Sequence, residues 1–280
     1  MIRAFALLLG LTVAGCSPQA ADRSAQRTGP ETLPRVVSIN PCVDAVLMQV
    51  ARPEQIAAIS HYSQDPRATS IPLDLARRFA ATSGTAEEVV AKAPDVVIAG
   101  AHVAPATIAA LHRMNIRLIQ IGVPESIAES EAQIRTIASA VRQTERGEAL
   151  IARIDAAVRA ASVQHGARPR TLIWQGGGLV PGEGTLASEL LQRTGYRNMS
   201  ADYGLERWDV LPLEHLVARP PEVLLSVGAE DRSDRMLSHP VLAGLKQAIA
   251  VRRYPERLLH CGGPTIIDAV GHLATIRRAL

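Results

Sequence analysis

Short apolar, β-branched runs alternate with helical stretches along this chain, and that alternation restricts its fold more than any other feature. Runs at 36–39, 56–59, 96–99 and 118–122 have strand length, and between them 43–50, 86–91 and 104–114 have helical spacing. Strands separated by helices build βαβ units, which give a largely parallel sheet. After Pro124 the pattern changes. Ser126-Ile127-Ala128-Glu129 has the form of a capping box, and Ile134, Ile137, Val141, Leu150, Ile151, Ile154, Val158 and Ala161 then recur at helical spacing. About 38 residues in one helix would span on the order of 55 Å, with Gly147 as the place for a bend. Beyond Arg168-Pro169-Arg170 the alternation resumes: strand 171–174, helix 186–194, strand 223–227, helix 241–250, strand 258–259 and a last helix over 265–280. The expected fold is therefore α/β, with two Rossmann-like lobes (35–124 and 166–280) joined by a single long helix within 125–165. Open α/β sheets bind ligands beyond the carboxyl ends of their strands, so the ligand cleft is expected between the lobes.

The amino terminus points to a compartment. Met1-Ile2-Arg3 leads into an apolar run over 4–14, and Val13-Ala14-Gly15 precede Cys16. A run this short cannot cross a hydrocarbon core of about 30 Å, so it reads as a signal and not as a membrane span. Residues 1–15 are expected to be a lipoprotein signal peptide, with Cys16 lipidated and 16–34, polar and aperiodic, a flexible leash. A plain secretory signal with an incidental Cys16 is the alternative. Either places the body outside the cytoplasm, and the lipid would hold it to a membrane in the periplasm. Lys and Arg total 30 against 27 Asp and Glu, a net charge of +3, with the basic residues scattered in pairs such as Arg77-Arg78. No nucleic-acid partner is expected from that distribution. Beyond Cys16 the cysteines are Cys42 and Cys261. A disulfide is open to them, but two buried thiols in separate places are the favoured expectation.

Several constellations suggest chemistry. Gly182, Gly184 and Ala187 fit G-x-G-x-x-G/A, with Asp202 downstream, which makes an extracytoplasmic enzyme using loop 176–184 one reading. The fingerprint requires its first glycine directly after a strand, however, and here the predicted strand ends at Trp174. His61, His102 and His260 each follow a predicted strand, so a bare zinc or manganese ion is another reading. They lack the paired spacing of a dedicated site. No G-x-S-x-G elbow is present, and no enzyme is expected. Seven aromatic residues lie beyond Cys16, among them Tyr62 after the second predicted strand and Trp208 in a polar stretch. Trp208 is expected to face the cleft, since large apolar ligands bind through such surfaces. Arg232 and Arg235, in the next loop, could pair with an anionic ligand, with a solvated loop as the equal alternative.

Three blocks carry a family resemblance: Arg35-Val-Val-Ser-Ile-Asn-Pro41, Ser60-His-Tyr-Ser-Gln-Asp-Pro66, and Glu87 through Ile98 with its Lys92-Ala93-Pro94. Together with Gly184–Leu191 and the stretch from Trp208 through Glu214 to Pro221, they resemble the ABC-importer binding proteins for iron–siderophores and cobalamin. The resemblance covers nearly all of 35–280. It implies two lobes about a long helix, no catalysis, no cofactor, and a metal chelate as cargo. It implies as partners an ABC permease with its ATPase, and a monomeric receptor. One glutamate per lobe docks to the permease in that family, and Glu87 and Glu214 match those positions. Tyr62 and Trp208 match cobalamin contacts, and Asn40, His61, His102, Gln175, Arg232 and His260 fall where the pocket would be lined. The cobalamin-binding relatives carry further tryptophans where this chain has Ser83-Gly84 and Gly100-Ala101. An iron–siderophore or another metal complex therefore fits as well as a corrin.

Overall fold

The computed structural model of the chain describes residues 32–227 and 249–280. In the amino-terminal lobe, β1 (Val36–Ser38), β2 (Ile56–Ser60), β3 (Ala81–Thr82), β4 (Val96–Gly100) and β5 (Arg117–Ile121) form a parallel sheet ordered β3-β2-β1-β4-β5. The connections carry helices α1 (Pro41–Val50), α2 (Leu73–Ala76), α3 (Ala86–Ala91) and α4 (Pro105–Arg113). Strands covered on both faces read as unbroken apolar runs, and that is how they read here. Val36, Val96 and Ile98 face the main core, while Val37 and Val97 pack with Val89 and Leu111 on the other side.

The carboxyl-terminal lobe repeats the design. Its β6 (Arg170–Trp174), β8 (Arg197–Asn198), β10 (Val223–Val227) and β11 (Ala250–Tyr254) make a parallel sheet ordered β11-β10-β6-β8. Helices α7 (Leu186–Arg193), α8 (Leu213–Ala218) and the last helix, α9 (Thr265–Arg278), accompany it, and β7 (Leu179–Val180) pairs antiparallel with β9 (Asp209–Val210). The strand expected at 258–259 lies instead at Ala250–Tyr254, and Glu256–Leu258 is a 3-10 turn. Arg252 and Arg253 hide β11 from a reading based on apolar runs; it is an edge strand with exposed positions. The helix expected over 241–250 lies outside the described residues but for Ile249 and Ala250, and Ala250 begins β11.

The segment between the sheets is helical but is not one helix. Helix α5 (Ile127–Ala140) starts at Ser126, whose side chain accepts from the Glu129 amide as expected, and α6 (Thr144–Ala161) folds back on it. Arg142 sits at φ 55°, and the Gln143 amide reaches back to the Ala138 carbonyl at 2.8 Å, a closure that ends a helix. A buried side chain makes this break tolerable: Gln55 Nε2 donates to the Val141 carbonyl at 2.8 Å, and Gln143 donates to Gln55 at 3.0 Å. Gly147 is where the two helices touch, since a Cβ there would lie 2.6 Å from that of Ala138. An Arg135–Glu148 pair at 2.9 Å crosses the hairpin further along. The apolar residues of the hairpin, from Ile134 to Val158, join α1 and α9 in one core shared by both lobes.

Asp44, in the first turn of α1, is wholly buried. Its Oδ2 accepts from the Ser60 amide at 2.9 Å and from Ser63 Oγ at 2.6 Å, while Oδ1 has no partner. Burial, outweighing the polar groups of Ser38, Ser63 and Ser60 beside it, pushes its pKa from 3.8 up to about 7. Between those values the native chain keeps a proton that the unfolded chain has released. Stability from this site is therefore full at acid pH and falls as pH rises through the window. Thermal unfolding from pH 4 to 8 should show the wild type losing melting temperature relative to Asp44→Asn; parallel curves would contradict the assignment.

Candidate functional site

In the first sheet the strand order reverses between β1 and β4, and the chain leaves their carboxyl ends at Asn40 and at Gly100-Ala101-His102. That switch point is where a doubly wound sheet opens a crevice. Asn40 Oδ1 accepts from the amides of Cys42 and Val43 at 2.8 and 3.2 Å, with Pro41 in the first turn, so its side chain starts α1. Its Nδ2 lies 2.6 Å from where a Cβ on Gly100 would stand. Gly100 is thus required by the cap, and a bulky side chain at 100 would displace Asn40.

Two adjoining cavities occupy this end of the molecule. One, of about 200 Å³, is walled by Asn40, Cys42, Gly100, Ala101 and His102 from the first lobe, Ser130 and Ile137 from α5, and His260 and Gly262 from the second. The other, of about 390 Å³, lies among Thr185–Ala187, Arg207, Trp208, Tyr254 and 258–262. Val123, Pro124, His260 and Gly262 line both, so they are neighbouring parts of one interlobe cleft. A larger hollow of about 500 Å³, by Met48 and Phe79, includes Ile56 at the amino end of β2, away from the crevice. The cleft wall is mainly apolar, with Val123 82% and Trp208 37% exposed, and a few polar groups converge on it.

The glycine-rich loop supports this wall and makes no phosphate cradle. Amides of Glu183 and Gly184 donate to the carbonyls of Leu205 and Glu206 at 3.0 and 2.8 Å, and Thr185 Oγ1 takes the Ser188 amide. Those donors are the ones a pyrophosphate would need. A Cβ on Gly182 would lie 2.3 Å from the Arg207 carbonyl, so glycine there lets the loop pack against the 206–207 backbone that leads into Trp208. Arg207 in turn meets Glu125, just ahead of α5, at 2.7 Å.

Of the sequence candidates, Asn40, His102, Trp208 and His260 are brought to the cleft. His61 is not: its Nδ1 is 3.2 Å from the Thr82 carbonyl, its ring lies 4.1 Å from that of Tyr62, and it faces a separate hollow with Glu88 and Lys92. Tyr62 is exposed beside it, outside the cavity walls. Gln175 follows β6 and opens the turn at Gly176, also outside them. Arg232 and Arg235 lie outside the described residues, as does Cys16. Glu87 and Glu214 stand exposed in the first turns of α3 and α8, where the helix dipole favours an acid.

Cys42 and Cys261 form a disulfide with Cα atoms 5.2 Å apart, which corrects the expectation of two separate thiols. Their sequence separation of 219 concealed the pairing. Cys42 lies in the first turn of α1 and Cys261 in the loop before α9, and only the packing of one lobe on the other brings them together. Ser130, Gly262 and Gly263 were also missed. Ser130 Oγ accepts from the Gly263 amide at 2.7 Å, and the Gly262-Gly263 pair was the one available signal of close approach.

Among solved structures, the heme-binding protein RhuT of Roseiflexus sp. RS-1 in apo form matches 87% of this chain and 97% of its own at 24% identity and a TM-score of 0.68. The heme-binding protein HutB of Vibrio cholerae matches 87% and 98% at 14% identity and a TM-score of 0.72. The vitamin B12-binding protein BtuF of Vibrio cholerae matches 88% and 97% at 17% and 0.67. At these identities the likeness is one of fold. No curated protein matches the sequence. The periplasmic binding protein family model matches residues 36–254, and with two parallel-sheet lobes about one cleft, the chain belongs to that family.

Proposed function

We propose that this protein is a lipid-anchored periplasmic receptor that captures a metal chelate, of iron–siderophore or tetrapyrrole type, and hands it to an ABC permease. It binds and releases its cargo and catalyses no reaction. The observation that carries this reading is the apolar interlobe cleft with Trp208 and Val123 on its surface, suited to a large ligand whose metal is already wrapped. Several relatives of similar fold are named for heme or vitamin B12. A bare ion is disfavoured because His61 lies apart from His102 and His260, and because both cysteines near the cleft are bonded to each other. Lipid at Cys16 and a leash to Pro34 would keep the receptor within reach of the permease.

The chain has two tryptophans, and Trp174 is buried in the second lobe, so Trp208 should report on the cleft. Titration with hemin, cyanocobalamin and ferric siderophores should quench fluorescence for at least one, and Trp208→Phe should remove most of the change. A response to zinc chloride alone would overturn the chelate reading. Glu87→Ala with Glu214→Ala should leave that titration unchanged and abolish uptake in cells. Weakened binding instead would make them part of the pocket.

A further inference from the structure

The cleft just assigned contains a covalent bridge that chelate capture does not require. Segment 256–263 of the second lobe is stitched to the first at several points. Cys261 is bonded to Cys42, His260 Nδ1 is 3.2 Å from the Ala68 carbonyl, and Ser70 Oγ donates to the Arg257 carbonyl at 3.1 Å. The Gly263 amide donates to Ser130 Oγ on α5. The fit is tight, since a Cβ on Gly262 would lie 2.7 Å from Ser130 Oγ and 2.9 Å from Pro124 Cγ. Each hydrogen bond trades against water and is weak alone, whereas the disulfide cannot part without chemistry. Its position is the second observation. Cys42 is half-buried and lines the smaller cavity, and Cys261 lines the larger, so a ligand filling the cleft lies against the bridge.

We propose that Cys42–Cys261 is a redox-operated latch on the binding cleft. Oxidised, it holds the lobes in the geometry that receives the chelate. Reduced, it frees segment 256–263 from α1, the lobes part, and affinity falls. The reductant is a dithiol small enough to enter the cleft. One of its thiolates attacks a bridge sulfur to give a mixed disulfide, and its second sulfur displaces the remaining cysteine. Two electrons and two protons pass to Cys42 and Cys261, and the reductant leaves as its cyclic disulfide. Linkage makes the effect mutual: the factor by which reduction weakens the chelate equals the factor by which bound chelate resists reduction. The latch rests on the chelate reading for its ligand, but its effect on the lobes can be read without one.

The test compares the full chain oxidised with the chain reduced by dithiothreitol and capped with iodoacetamide, and with Cys42→Ser/Cys261→Ser. Each is titrated with hemin and cyanocobalamin and measured by small-angle scattering and far-ultraviolet circular dichroism. Both bridge-free forms should keep their helix signal, show a larger radius of gyration, and bind at least tenfold more weakly. Hemin or cyanocobalamin, whichever binds, should slow thiol release from the oxidised form at least tenfold. An unchanged radius with unchanged affinity overturns the latch. Loss of helix signal on reduction also overturns it, leaving a folding staple. If neither chelate binds any form, those chelates are excluded as cargo, and the scattering comparison alone decides the latch.

Discussion

Replacing Cys42 and Cys261 together by serine should lower the free energy of unfolding by about 5 kcal/mol, the loop-closure entropy expected for a bridge spanning 219 residues. For a domain of this size that corresponds to a fall of roughly 10–20 °C in melting temperature. The cause lies mainly in the unfolded chain, which the bridge deprives of most arrangements in which the two lobes drift apart. The core shared by α1, α5, α6 and α9 is left in place, and among native contacts only those of segment 256–263 at the cleft are released. The two bridge-free cysteines would otherwise be a polar pair at the lobe junction, and serine keeps their size. Urea unfolding measures the effect directly. The denaturant slope should rise as the midpoint falls, because a chain without the cross-link exposes more surface when unfolded. A shift below about 2 °C, with thiol titration finding free cysteines in the wild type, would show that the native protein leaves Cys42 and Cys261 unbonded.

Gly182→Ala should be the most damaging single methyl in the carboxyl-terminal lobe. The added Cβ would stand 2.3 Å from the Arg207 carbonyl and 2.4 Å from its amide nitrogen, both backbone atoms that cannot swing aside as a side chain does. The 205–208 segment must move, carrying Trp208 with it and straining the pairing of β7 with β9 above Trp174 and Leu211. Overpacking of this kind costs about 1–3 kcal/mol. A loss of at least tenfold in affinity for whichever chelate binds should accompany it. Gly176→Ala, in the same loop but with open space around the new methyl, is the control and should melt within a degree or two of wild type. Equal melting temperatures and equal affinities for the two variants would refute the account of the loop as a support for Trp208.

Much of the fold was legible because parallel strands buried on both faces must be apolar throughout. Residues 96–100 and 223–227 could be nothing else, and Ser126 announced the start of α5. What escaped has a physical cause in each case. β11 carries two adjacent arginines, Arg252 and Arg253, in place of an apolar run, because an edge strand buries only part of its surface. The break between α5 and α6 falls on Arg142, a residue type that gives no warning of a left-handed turn. It is sustained by Gln55, which is 86 positions away from Val141. Gly147, which looks from sequence like a bend, is the point of closest approach between two helices.

For the site, the neighbourhood of strand ends was readable: Asn40 after β1 and His102 after β4 at the pocket, and Trp208 in a polar loop, whereas the capping role of Asn40 came from the structure. His61 follows a strand just as His102 does, yet β2 lies one strand from the switch point, and its loop turns to Thr82. Sequence periodicity determined the two α/β lobes and the helical segment between them, since burial of alternating elements is a local property of side-chain pattern. Only the tertiary structure decided that the helix doubles back, that Cys42 meets Cys261, and that Gly182 serves Trp208. Each of those depends on groups far apart in the chain meeting within a few ångströms, a distance no local pattern encodes.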